Sequence, residues 1–224
     1  MFDVRSLIIF LIAATIILLI EMIFLARIFP RQKYIRVWVI CYLTLLIAQL
    51  GLVLRGVIPD LISIVFANIF IALTYIGNIW AAEILIERKR YHIGRYATAM
   101  VLFSLLILYW GEITPSYYSR LFVTSFMYGG LSLIFGYIMV TRGSVKYKSC
   151  KWIGYLMIVN AAVLFIRVIA IFDSPGMDTL LSPSNLNIYS LWKSNILVVL
   201  FGCLTVKLAL EVDTAEHRST ISVD

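Results

Sequence analysis

The sequence predicts an all-α polytopic membrane protein, a bundle of seven transmembrane helices. Of its 224 residues, 62% are hydrophobic and only 14% are charged, and the mean hydropathy is +0.97. A soluble domain is roughly half apolar and about a quarter charged. Apolar runs of roughly 20 residues recur along the chain, each long enough to cross about 30 Å of hydrocarbon as a helix. Helices are expected because backbone groups in lipid must bond within their own segment.

The apolar runs predict seven spans in chain order, which together form one transmembrane domain over residues 1–210. The first run is too long for the apolar region of a secretory signal peptide, so it is predicted to be a span. A short polar cytoplasmic tail, residues 211–224, is predicted to follow the last span. The predicted spans cover residues 6–28, 36–54, 60–84, 95–111, 119–141, 152–172 and 188–210.

The connecting segments alternate sharply in charge, which predicts an orientation in the membrane. Twelve basic residues lie around the three connections that follow spans 1, 3 and 5, whereas the opposite connections are neutral or acidic. The positive-inside rule then places the N-terminus outside and the C-terminus in the cytoplasm. This clustering accounts for the net charge of +7 without nucleic acid as a partner. The twelve residues are Arg27, Arg31, Lys33, Arg36, Arg88, Lys89, Arg90, Arg95, Arg142, Lys146, Lys148 and Lys151.

The sequence lacks the motifs of most enzymes and metalloproteins. Its two histidines, His92 and His217, fall in a predicted loop and in the tail. No histidine in a span is therefore available to ligate a metal or to activate a serine. The three cysteines have no metal-binding spacing, and there is no phosphate-binding loop or dinucleotide fingerprint. We expect no catalytic activity, no metal and no cofactor in this chain.

Small residues recur on the fifth predicted span, at Gly129, Gly130, Ser132 and Gly136. Such residues let two helices approach closely inside a membrane. They predict a tight helix–helix contact along this span.

The most informative stretch is the short polar corner between the second and third spans. Arg55, Gly56, Pro59 and Asp60 lie within six residues, between two long apolar runs. Glycine and proline together are typical of a tight turn. The orientation above places this corner on the outer side of the membrane.

Four basic residues lie at a similar depth in the outer half of the predicted bundle, namely Arg55, Arg120, Arg167 and Lys193. Ionisable residues at such positions are costly and usually face the bundle interior or an interface. In one interpretation they form ion pairs that fix the helix register, Arg55 with Asp60 and Arg167 with Asp60 or Asp173.

In the second interpretation the four cations converge on an outward-facing pocket for an anionic or polar ligand, or for a lipid head group. The planar fork of arginine suits carboxylates and phosphates. Polar residues of the third span extend the same cluster. The candidate ligand-binding residues are Arg55, Asp60, Ser63, Asn68, Arg120, Arg167 and Lys193.

The corner resembles part of a membrane-embedded input region that occurs N-terminal to GGDEF diguanylate cyclases in bacteria. The similarity is specific over Arg55 to Asn68, which match the pattern R-G-x-I-P-D-x-x-S-I-x-x-A-N. The start of the chain, Phe2 to Leu7, is similar to a leading D-x-R-T-L, with Ser6 in place of threonine. The resemblance implies seven helices in a bacterial inner membrane and a sensory role. No GGDEF motif follows, so the output domain is expected to be missing or separate.

These observations predict a sensory or regulatory module that detects a ligand or a membrane state and informs a cytoplasmic partner. The expected partners are the lipid bilayer, an anionic or polar small ligand, and a cytoplasmic signalling protein or a second copy of the chain. Two alternatives stay open at this point. A small-solute transporter can have seven spans, although equivalent broken spans in the two halves are not evident. An assembly or scaffold subunit is the other alternative.

Overall fold

The computed structural model describes residues 4–87, 93–172 and 185–221, and the regular structure of these residues is helical. Within these described ranges, seven helices are long and apolar enough to cross a membrane, which confirms the predicted all-α bundle of seven apolar helices. We number them α1 (Val4–Ile28), α2 (Lys33–Val53), α3 (Ala67–Leu85), α4 (Ile93–Leu108), α5 (Tyr117–Ile138), α6 (Lys148–Phe172) and α7 (Asn185–Ile221). A π-helical segment precedes α3 (Leu61–Phe66), and two others follow α4 (Tyr109–Ile113) and α5 (Met139–Gly143). A short helix, Ser144–Lys146, comes directly after the last segment.

The polar corner between α2 and α3 is a compact turn. Gly56 has a φ of +83°, a backbone conformation that favours glycine because it has no Cβ. The backbone N–H of Val57 donates to the Leu54 carbonyl at 2.9 Å, which closes the turn. The Pro59 carbonyl then accepts hydrogen bonds from Ile62 and Ser63 at 3.0 and 3.1 Å and starts the next helix. We call the end of the bundle that carries this turn the corner end.

Six of the seven helices form a closed ring. Helix α1 packs on α2 and α7, α2 packs on α3, and α3 packs on α5. The ring closes because α5 packs on α6 and α6 packs on α7. Helix α4 lies outside it, against α3 and α5. The interior of the bundle is therefore enclosed by α1, α2, α3, α5, α6 and α7.

The largest apolar core fills the end of the ring opposite the corner, which we call the basic end because the connection at 29–32 and residues 142–148 lie there. Trp38 and Phe135 are completely buried in it, and both contact Phe201, with ring centroids 6.0 and 6.1 Å apart. Burying such large side chains removes much apolar surface from lipid and solvent and packs the ring tightly. The basic end is thus closed by packing, and Phe201 forms the top of this core.

Helix α7 is the longest helix and continues past the predicted end of the last span, from Asn185 to Ile221. Near the basic end, the Glu211 carboxylate accepts hydrogen bonds from the backbone N–H groups of Lys148 and Ser149, at 2.6 and 2.9 Å. These amides begin α6, where unpaired N–H groups and the helix dipole favour a negative charge. Glu211 therefore joins the basic ends of α6 and α7.

The predicted close contact of α5 is present at Gly136, which faces Gly154 of α6. A Cβ added at Gly136 would lie 2.8 Å from the Gly154 carbonyl oxygen, and one added at Gly154 would lie 2.8 Å from that of Gly136. These two oxygens belong to the backbone and cannot rotate away. Gly130 differs, because a Cβ there would meet nothing within 4 Å.

We expect Gly154→Ala to destabilise the fold by about 1–3 kcal/mol, because the added methyl forces α5 and α6 apart. Gly130→Ala is the matched control. It should be neutral or stabilising by up to about 1 kcal/mol, because alanine has the higher helix propensity and has room there. The free energy of unfolding in mixed detergent micelles measures both. Equal effects of the two substitutions would contradict the close contact.

Candidate ligand-binding cavity

A cavity of about 250 Å³ lies inside the ring of six helices. Residues of α1, α2, the corner, the π-helical segment before α3, α3, α5, α6 and α7 line it. None of the described residues of α4 does, which agrees with its place outside the ring. The cavity extends from Arg55 at the corner end to Phe201 above the apolar core. Pockets inside a bundle of helices are common sites for small ligands.

Four cations line this single cavity. Arg55 comes from the corner, Arg120 from α5, Arg167 from α6 and Lys193 from α7. Arg120 is only 9% exposed, and the other three side chains are half-buried. The positive charge of Arg55 acts on Arg120, and that of Arg167 acts on Lys193. Like charges in such proximity repel one another unless an anion lies between them.

Burial lowers the pKa of the Arg55 guanidinium below its ordinary value, and the nearby Asp60 carboxylate and Tyr117 partly oppose this shift. Arginine nevertheless keeps its proton in proteins. A buried guanidinium therefore needs hydrogen-bond acceptors or anions around it, since it cannot become neutral.

The ion pairs of the first interpretation are not formed among the described residues. Among the described residues, neither Arg55 nor Arg167 pairs with Asp60, whereas Lys146 does pair with Glu87, at 2.8 Å. Asp60 is exposed and does not line the cavity, although its charge acts on Arg55 and Arg120. Asp173 lies outside the described residues.

The Arg167 guanidinium hydrogen-bonds one uncharged side chain and has one N–H group without an acceptor among the described residues. Its side chain hydrogen-bonds that of Tyr117, a residue of α5 that also lines the cavity. Its Nε is buried and has no hydrogen-bond partner. A charged donor without an acceptor is costly when water is excluded. This guanidinium is thus available for an anion in the cavity.

Lys193 is held by a polar network that joins α3, α5, α6 and α7. Its Nζ donates to Asn160 Oδ1 at 2.9 Å. Asn160 Nδ2 donates to the hydroxyls of Ser132 and Tyr75, at 3.0 and 3.2 Å. Ser132 in turn donates to the Met157 carbonyl at 2.8 Å. The network fixes the ammonium group beside the cavity while leaving it with no carboxylate partner among the described residues.

The two neutral candidates from the sequence both line the cavity but have different surroundings. Ser63 is fully buried, and its Oγ has no hydrogen-bond partner. Asn68 accepts a hydrogen bond from the Tyr128 hydroxyl at 2.9 Å, and its Nδ2 donates to the Ile64 carbonyl at 2.7 Å. Asn68 therefore positions Tyr128, whereas Ser63 is free to bind a ligand.

The sequence did not identify two polar residues of α2 that line the cavity. Gln49 is 2% exposed, and its Nε2 donates to Thr15 at 2.9 Å while its Oε1 has no partner. The Tyr42 hydroxyl is also buried without a partner. The sequence did contain a signal for Gln49, because a glutamine within an apolar span is unusual. Unmatched polar atoms in a wall indicate where polar groups of a ligand can bind.

Comparisons of the chain with protein-family models, curated proteins and solved structures found no match. The function is therefore inferred mainly from the chemistry of this cavity.

Proposed function

We propose that this chain is a sensory or regulatory module of a bacterial cytoplasmic membrane, with its N-terminus outside and its C-terminus in the cytoplasm. It binds an anionic or polar small ligand in the cavity and passes the bound state to a cytoplasmic signalling partner or to a second copy of the chain. The observation that carries this proposal is the lining of one cavity by Arg55, Arg120, Arg167 and Lys193.

The charges around the cavity support an anion as the ligand. In the described part of the chain, Asp60 and Glu112 are the carboxylates whose charge acts on Arg55 and Arg120, and both are exposed. Two to four positive charges remain uncompensated, depending on whether these exposed groups are counted. An anion that enters between the cations removes their mutual repulsion and accepts charge-assisted hydrogen bonds.

The connection between α6 and α7 supports a signalling role. These helices contribute Arg167 and Lys193 to the cavity and meet again at the basic end through Glu211. An anion that draws Arg167 and Lys193 together would change how the two helices pack. A ligand shifts an equilibrium between two packings only if it binds one of them more tightly, and the cation cluster provides that difference. The resemblance of Arg55 to Asn68 to an input region agrees with this role.

Hydrogen exchange tests the signalling step with inorganic phosphate as the probe. We expect saturating phosphate to change the exchange rates of the Lys148 and Ser149 amides at least about threefold in phosphatidylcholine nanodiscs, because Glu211 holds these amides. The same addition should leave them unchanged in an Arg167→Leu variant. Phosphate binding without any change at these amides would contradict signalling through α6 and α7. Uptake of phosphate into proteoliposomes would instead support a transporter.

A further inference from the structure

The cavity has two chemically different parts. Its upper part, towards the corner end, holds Arg55, Arg120 and Arg167 together with the unmatched Ser63 hydroxyl. Below Lys193 the α7 wall becomes apolar, through Leu197 and Val198 to Phe201. Phe201 lies eight residues after Lys193, which is about 12 Å along the helix. Facing apolar residues of the lower part are Leu45, Ile71 and Met157. The ligand should therefore combine an anionic head with an apolar body.

The volume limits the size of that ligand. A cavity of 150 Å³ lined by apolar residues binds benzene, which has six heavy atoms. Scaling to about 250 Å³ gives room for about ten heavy atoms. A phosphate head group has five heavy atoms, which leaves room for a body of about five heavy atoms. A complete two-chain phospholipid is several times too large.

The charge count favours a doubly charged head. Four cations line the cavity and two exposed carboxylates act on them, so at least two positive charges remain when the described residues are counted. A carboxylate supplies one negative charge, whereas a phosphate monoester supplies nearly two at neutral pH and has three acceptor oxygens. Three arginines also match its geometry, because each guanidinium can donate two parallel hydrogen bonds.

The wall beside the apolar part is not entirely apolar. Gln49 Oε1 needs a donor, and the Tyr42 hydroxyl, seven residues away on the same face of α2, lacks a partner too. A hydroxyl on the body of the ligand matches Gln49 Oε1, because it can donate a hydrogen bond to that oxygen. An amino group would also donate, but the four cations would repel it.

We propose that the ligand is a small phosphate monoester with an apolar body of about four carbons that carries a hydroxyl group. The inference rests on the proposed function, since it names the anion that the cation cluster binds. The phosphate lies among Arg55, Arg120 and Arg167, the carbon chain lies beside Val198, and the hydroxyl bonds Gln49.

Titration calorimetry in phosphatidylcholine nanodiscs tests this with inorganic phosphate, butyl phosphate, 4-hydroxybutyl phosphate and butanol. We expect butyl phosphate to bind the wild type at least about tenfold tighter than inorganic phosphate, because each fully buried methylene is worth about fourfold. The hydroxylated probe should bind several-fold tighter still, and Gln49→Met should remove that advantage. Butanol, which lacks the charge, should not compete at the same concentration.

Two substitutions on adjacent residues of α7 test the position of the carbon chain. Val198→Phe fills the apolar part, so the affinity ratio of butyl phosphate to inorganic phosphate should fall towards one. Val199→Phe is the control, because Val199 faces away from the cavity and is 49% exposed on the bundle surface. It should keep the wild-type ratio.

The outcomes separate this inference from the proposed function. A ratio near one in the wild type, or equal ratios in the two valine variants, would overturn the inference even where inorganic phosphate binds. A hydroxylated probe that binds more weakly than butyl phosphate would overturn the assignment of the hydroxyl. The comparisons between probes use the wild-type protein, so they do not depend on whether a variant folds. Loss of the proposed function itself would appear as failure of every phosphate probe to bind.

Discussion

Replacement of Arg167 by leucine should weaken the binding of inorganic phosphate by at least about thirtyfold. Removing one partner of a buried charge-assisted contact costs about 2–5 kcal/mol, and each 1.4 kcal/mol is a factor of ten in affinity. Arg167 is the best single choice because its buried Nε has no partner among the described residues. Titration calorimetry in phosphatidylcholine nanodiscs measures the change.

The same substitution should not weaken the fold. Arg167 repels Lys193 in the empty cavity, and leucine is more compatible with a half-buried position in a membrane span. We therefore expect the free energy of unfolding without phosphate to stay the same or to rise. Residues that serve binding often lower stability in this way. A loss of binding combined with a gain of stability cannot arise from general unfolding.

Two matched variants make the Arg167 result specific. Arg142→Leu removes a cation from the exposed basic end and should leave phosphate affinity unchanged. Arg167→Lys keeps the charge but loses the planar fork, so it should retain part of the affinity. If Arg167→Leu bound phosphate as tightly as the wild type, the cation cluster would not be the anion site.

The sequence predicted the positions of residues along the helices better than the arrangement of the helices around the ring. The apolar runs predicted seven spans because length and composition alone decide whether a helix can cross a bilayer. The depths of Arg55, Arg120 and Arg167 also followed from residue numbers, at 1.5 Å per residue. Whether these cations face one another depends on the order of the helices around the ring. That order results from packing contacts between distant parts of the chain, which sequence spacing does not determine.

At the corner, the sequence predicted the local turn but not the contacts of its charged side chains. Glycine and proline predicted the turn, and the +83° φ of Gly56 agrees with it. Proximity in sequence also suggested an ion pair between Arg55 and Asp60, yet the turn leaves Asp60 exposed while Arg55 lines the cavity. Gln49 was missed because an amide in a span usually bonds a neighbouring helix, as its Nε2 does with Thr15. Its unmatched Oε1 is visible only in the assembled ring.

The largest stability effect is expected at Asn160, the residue that holds Lys193. Asn160→Leu should destabilise the fold by about 3–5 kcal/mol, because it leaves the ammonium group of Lys193 without its acceptor inside the bundle. The hydroxyls of Ser132 and Tyr75 lose a donor at the same time. The free energy of unfolding in mixed detergent micelles measures the change.

Asn195→Leu is the matched control for this substitution, because Asn195 donates only to backbone carbonyls, those of Leu7 and Leu191. Its loss leaves no charge unpaired and should cost about 1–2 kcal/mol.

A double-mutant cycle separates the charge from the other contacts of Asn160. When Lys193→Met is added to Asn160→Leu, most of the lost stability should return, because no orphaned ammonium group remains. Additive effects of the two substitutions would show that the Lys193–Asn160 contact carries no special energy. Recovery would show that the lysine is retained at a cost in stability. An ammonium group that the fold must stabilise with a dedicated asparagine, beside a cavity that already holds three arginines, is best explained by an anion that binds there.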